Sequence, residues 1–195
     1  MTDLTNILTD DIVVPYPALL DALHERCGTG GLTASHAGYA LASSARLPGA
    51  TDGPLCRFGL AFELAEPPIV PGAADQFAEG LLGLHRDLLH RTLRHAICHL
   101  EDRTSEGTSL LSRQLVQGQL ADIAMALSVE DAMPPGRRDS DPSARWRSHQ
   151  RMVAVGRDLL RLLGASGFLA DSPAADLHLA EVAGNVYLHP GGRDD

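Results

Sequence analysis

Arg103 to Asp122, RTSEGTSLLSRQLVQGQLAD, is the stretch whose reading decides the fold. A long helical pattern runs into it and stops near Arg103 and Gly107. A second helical pattern leaves it, with Gln114 close to its first apolar positions. Two helices joined by a short turn are neighbours and run antiparallel. The turn also carries an arginine, a glutamate and a glutamine, which a simple helix-to-helix contact does not require.

Outward from this turn, the period stays helical. From Ala73 to about Asp102, Leu82, Leu89, Leu93, Ala96 and Leu100 form one apolar stripe. The second helix is expected from about Thr108 to Met133, with Leu111, Leu115, Leu120, Ile123 and Leu127 available for burial. Pro134, Pro135 and Gly136 stop it. A third spans about Ser143 to Leu163, with Asp141 or Ser143 as cap and Gly164 as stop. A fourth spans about Pro173 to His189, with Ser172 as cap and Pro173 at the first helical position. The expected fold is therefore mainly α, an antiparallel four-helix bundle over residues 73–190 with a frayed tail at 191–195. Residues 1–72 are richer in Gly, Pro, Ser and Thr. They predict a short helix, Pro17 to Arg26 with Gly28 as stop, and a pair of strands in 36–47 and 55–65. Pro67, Pro68 and Pro71 exclude regular structure there and mark the boundary.

Composition narrows the function. The 195 residues carry a net charge of -9, which argues against a nucleic-acid partner. All 16 cations are arginine. The hydrophobic fraction of 44% with only 4% aromatics leaves Leu, Ala and Val to build the core. Cys27, Cys56 and Cys98 form neither a disulfide framework nor a metal motif, which fits a reducing cytoplasm. The acidic start, MTDLTNILTDDIVVPYP, shows no secretion signal, and no apolar run reaches membrane-spanning length.

Several groups could carry chemistry. His85, Leu88, Thr92, His95 and His99 recur at helical spacing along one seam. His95 and His99 stand four apart, a spacing that can share a metal, but no third ligand accompanies them and no metal is expected. By chemistry alone Arg103 reads as a cation at a helix end and Gln114 as a surface residue or cap. Gly164 and Gly167 flank Ala165 and Ser166 after the third helix, where a C-cap is the first expectation and close approach of a ligand the second. No serine nucleophile stands in a strand-turn-helix elbow.

Taken together, these signals resemble the C-terminal helical domain of the acyl-CoA dehydrogenase family. RTSEG, Gln114 and the Leu-Ala-Asp ending at Asp122 resemble that family's arginine-x-x-Phe-Gly, Gln, Leu-Ala-Asp pattern without a gap. RLLGASGFLADSP (161–173) resembles its Gln-x-x-Gly-Gly-x-Gly-Phe segment. GLAFELAEPPIVPG (59–72) looks like the last strand of its middle β-domain, here shortened to about two strands. The likeness covers roughly residues 36–189. It implies a subunit of a flavin-dependent oxidoreductase acting on acyl thioesters of coenzyme A or a carrier protein. Arg103, Ser105, Gln114, Arg161, Gly164 and Gly167 would then face FAD shared with a neighbouring subunit. Glu106 replaces the family's phenylalanine, Arg161 its glutamine and Ala165 one glycine. Leu188-His189-Pro190 stands where many members keep their catalytic glutamate, and Glu79 lies near the position another branch uses. The resemblance thus implies a truncated protein that associates with itself or with a full-length dehydrogenase-like partner and lacks its own complete active site. Two alternatives remain open. One is a self-sufficient acid-base enzyme on acyl thioesters, using Glu79 or His95 without flavin. The other is a non-catalytic scaffold.

Overall fold

The leucine stripe read after residue 72 forms the axis of the structure, a computed structural model that describes residues 14–27, 31–49, 53–65, 72–133, 141–168 and 173–191. The fold is mainly helical with a small antiparallel two-stranded sheet. Helix α1 is Tyr16–Arg26, α2 Ala73–Asp102, α3 Gln114–Asp131, α4 Pro142–Leu163 and α5 Pro173–Leu188. Among the described residues, no helix is long and apolar enough to cross a membrane.

Punctuation residues set these limits. Asp141 accepts the Ser143 N–H at 2.9 Å, so it is the N-cap of α4, with Pro142 at the first helical position. Gly164 closes α4 at φ 58°. The expected stops at Gly28 and at Pro134 to Gly136, the Ser172 cap, the whole 66–71 boundary segment and all but the first residue of the 191–195 tail lie outside the described residues.

The second helix starts later than expected. Thr104–Ser105 (β3) and Thr108–Ser109 (β4) pair as a two-residue hairpin. Its central residues, Glu106 at φ 57° and Gly107 at φ 76°, both take the left-handed conformation that such a turn requires. Leu110–Ser112 adds one 3-10 turn, and only at Gln114 does α3 begin. Nothing lies within 4 Å of where a Cβ on Gly107 would stand, so Gly107→Ala would meet only the backbone cost of positive φ. That substitution should lower stability by about 1 kcal/mol, read in urea unfolding as a lower midpoint with an unchanged slope.

Side-chain partners give the helix directions. Arg145 at the start of α4 meets Asp75 and Glu79 at the start of α2, and the His85 and His149 rings lie 5.5 Å apart, so α2 and α4 run the same way. Glu130 near the end of α3 meets Ser148 and Arg151 of α4, and Arg157 meets Glu181 of α5 while His149 meets Asn185, so α3 and α5 run opposite to α4. The close α4–α5 crossing needs Gly184, where a Cβ would stand 2.1 Å from the His149 ring. Leu82, Leu89, Ala96 and Leu100 are buried as expected and Leu93 is half-buried. Leu120, Ile123 and Leu127 of α3 are buried, but Leu115 is 76% exposed. At 100° per residue Leu115 is turned about 80–140° away from those three, toward the side that carries exposed Met125 and Val129.

Ahead of the bundle, β1 (Tyr39–Ser43) pairs antiparallel with β2 (Leu60–Leu64), Leu41 opposite Phe62. Both strands are shorter than the sequence suggested, because Cys56–Phe58 forms a 3-10 turn and Gly59, at φ 77°, redirects the chain into β2. His24 on α1 ties this sheet down. Its Nδ1 accepts the Thr33 N–H at 3.0 Å, which leaves Nε2 to donate to the Leu41 carbonyl at 2.8 Å. Tyr187 of α5 accepts the Leu41 N–H at 2.7 Å, fastening the sheet to the bundle.

Candidate functional site

The helix directions bring the C-termini of α2 and α4 and the N-termini of α3 and α5 to one end of the bundle. Arg103, Ser105, Gln114, Arg161 and Gly164 therefore all lie at that end, and all five are exposed. Arg103 leaves α2 in extended conformation, and its guanidinium donates toward His99 Nε2 at 3.4 Å. Gln114 is the first residue of α3, whose N-terminus has no side-chain cap. Uncapped N–H groups and the positive end of the helix dipole favour an anion there. Arg113 ties the hairpin together, donating to the Ser105 carbonyl at 3.1 Å and to Glu106 at 3.3 Å. The Glu106 carboxylate is thus paired within its own turn.

Arg161 pairs with Asp158 and lines a small cleft of about 270 Å³ between α3 and α4, with Gln119, Asp122 and Ile123. Open space surrounds Gly164, whose backbone a second molecule can approach. Gly167 is different. It is buried, and a Cβ there would stand 2.9 Å from Leu163 Cβ, so its small size serves its own helix end.

The residues considered for catalysis are scattered. Glu79 sits on the first turns of α2, at the far end of the bundle, where it shares buried Arg145 with Asp75 at 3.4 Å and 2.7 Å. His95 is exposed, stacked on His99 at 6.2 Å between ring centres. His189 packs edge-on against Trp146 and accepts the Gly191 N–H at 3.2 Å. The expected histidine seam divides, because the buried face of α2 moves round to Ala96 and Leu100 in its last turns, leaving His95 and His99 outside. Among the described residues no group of three or more His, Cys, Asp or Glu is placed to hold a metal.

Two features had no place in the sequence reading. His85, on the buried part of the seam, faces His149 of α4, and burial, with that second ring, lowers the His85 pKa to about 3. Burial also lowers His149, against the hydrogen bond that its Nε2 donates to Asn185 Oδ1. Beside His85 lies a cavity of about 570 Å³ between α2, α4, α5 and the 3-10 turn before β2. His149 falls in phase with Met152, Val153 and Leu159, so a polar residue in the apolar stripe of α4 was the available signal.

No family model matches the chain, and no curated protein matches it. Solved structures do. Butyryl-CoA dehydrogenase from Megasphaera elsdenii is 16% identical, with a TM-score of 0.50 over 66% of this chain and 40% of that one. A variant of the Tcur3481-Tcur3483 steroid ACAD is 18% identical, with a TM-score of 0.49 over 65% and 38% of the two chains. Glutaryl-coenzyme A dehydrogenase in its glutaryl-CoA complex is 16% identical, with a TM-score of 0.48 over 64% and 35%. At these identities the likeness is one of fold. The match to the butyryl-CoA enzyme places the bundle and its small sheet with the acyl-CoA dehydrogenase helical architecture, and the chain spans about two fifths of that structure.

Proposed function

We propose that this chain is an acyl-CoA dehydrogenase-like subunit that supplies one half of an FAD site. A second chain, either another copy or a longer dehydrogenase-like partner, supplies the other half. One observation carries the reading: the bundle directions gather Arg103, Ser105, Gln114, Arg161 and Gly164 at a single exposed end. The residues there suit the diphosphate end of the cofactor. A guanidinium matches phosphate oxygens in two-point contacts, and the uncapped start of α3 adds backbone donors. Gln114 offers an amide to the adenine side, and the open backbone at Gly164 admits a neighbour.

The reactive ring finds no such fit. The cleft beside Arg161, about 270 Å³, is below the roughly 300–1,000 Å³ of ordinary ligand sites, and the second chain must bring the remaining walls. Bound FAD supplies hydride acceptance from the acyl thioester of coenzyme A or a carrier protein. Residues of this chain hold and orient the cofactor, and the proton acceptor comes from the partner, since Glu79 is occupied at the other end. The apolar outer face of α3, with Leu115 76%, Met125 60% and Val129 56% exposed, runs from this end along the helix and favours a second chain packed along α3.

FAD titration of the assembled complex tests this reading. Arg103→Ala removes a charge-assisted contact and should weaken FAD about tenfold or more, whereas Arg157→Ala, paired with Glu181 further along α4, should leave it unchanged. Equal FAD affinity for Arg103→Ala and the parent protein would refute the assignment.

A further inference from the structure

The cavity beside His85 lies on the α4–α5 side of the bundle, whereas the Arg161 cleft lies between α3 and α4. Its volume, about 570 Å³, falls within the roughly 300–1,000 Å³ of small-molecule sites. Phe58, Val153, Leu160 and Leu177 give it apolar walls. Polar groups stand at two separate places. Inside is His85, 3% exposed, whose Nδ1 is buried with no hydrogen-bond partner among the described residues. A buried neutral imidazole offers one donor and one acceptor, and an unmet one favours any ligand that completes it. On the outer side is Arg57, exposed and stacked at 4.6 Å on the Phe58 ring. Among the described residues Arg57 pairs with no carboxylate. Arg157, by contrast, is already matched with Glu181 at 2.7 Å.

We propose that this cavity binds a small, mainly apolar carboxylic acid that carries a second, neutral polar group such as a hydroxyl. The apolar body fills the space between Phe58, Val153, Leu160 and Leu177. The carboxylate meets Arg57 at the mouth, and the neutral group meets the His85 imidazole. A cation at the mouth and an uncharged partner inside select this order, because a charged group beside His85 would be buried without a counter-ion. His178, on the same rim and edge-on to Phe58 at 5.6 Å, helps hold the ring that carries Arg57.

The test uses 10-hydroxydecanoate and decanoate as probes on the complete protein, followed by the ring resonances of its histidines in NMR titrations. The hydroxy acid should shift the His85 signals, and saturate, at lower concentration than decanoate does. His85→Phe keeps an aromatic ring and removes the hydrogen bond. It should weaken the hydroxy acid by a few-fold to about tenfold and leave decanoate unchanged. Arg57→Gln, at an exposed position that does not endanger folding, should weaken both acids alike. Binding that ignores Arg57→Gln, equal affinity of the two acids for the parent protein, or no shift at His85 with either probe overturns the proposal.

Discussion

Acidification from about pH 7 to about pH 5 should cost this protein about 2 kcal/mol of stability through His85. The folded imidazole has its pKa lowered from 6.5 to about 3, first by burial and then by the nearby His149. Above pH 6.5 neither folded nor unfolded His85 is charged, and the group contributes its full share of stability. As pH falls below 6.5 the unfolded chain takes up a proton that the folded chain refuses, so stability falls with pH until the folded pKa is reached. The slope is about 1.4 kcal/mol per pH unit for each such group. His24 and His149 are also lowered, chiefly by burial, and steepen the loss. For His24 the geometry explains why: Nδ1 already accepts the Thr33 N–H, so a proton there would meet another proton. Asp87 and Asp176, both raised by burial, act in the opposite sense, and their effect lies nearer the ordinary carboxylate range. Thermal unfolding across this range should show Tm falling by roughly 4–8 °C. His85→Phe should remove about one proton from the slope. A Tm that stays flat to about pH 5 would show that these rings are solvated rather than buried.

Glu130→Ala should cost about 3 kcal/mol. Glu130 is 2% exposed near the end of α3. It accepts the Ser148 hydroxyl, itself fully buried, and the Arg151 Nε–H at 2.5 Å. These contacts fasten α3 to α4. Truncation leaves a buried hydroxyl without its acceptor, opens a cavity and releases an arginine that is 44% exposed. Because Arg151 can reach water, the loss should fall at the lower end for broken buried pairs. Glu130→Gln keeps the shape and one acceptor oxygen, and should cost roughly half as much. Urea unfolding of the two variants separates the contributions. Equal midpoints for Glu130→Ala and the parent would mean that the α3–α4 contact carries no stability through this residue.

The bundle was legible where punctuation was strong. Asp141-Pro142, Gly164 and Pro173 each set a helix limit within a residue or two, because caps and prolines act locally. The start of α3 was misread for the opposite reason. Leu110 and Leu111 have helical spacing, yet Glu106-Gly107 between two Thr-Ser pairs makes a tighter structure first. Leu115 was misplaced because, as the second residue of α3, it is turned about 80–140° away from Leu120, Ile123 and Leu127.

The candidate site was legible only in part, and the reasons are geometric. Arg103, Gln114 and Gly164 could be marked along the chain, but their gathering at one end depends on helix directions. Gly167 carried the same signal as Gly164 and proved to be packed against Leu163. The His85–His149 contact, the Glu130–Ser148 tie and the Arg57 mouth each join residues far apart in sequence, which periodicity within one helix does not reveal.

The central claim, an FAD site completed by a second chain, is met most directly by sedimentation velocity of the chain isolated with its native partners, recorded at the visible absorbance of flavin. The account predicts that flavin sediments with a particle of two or more chains that includes this one. A colourless boundary at the mass of a single chain would contradict it.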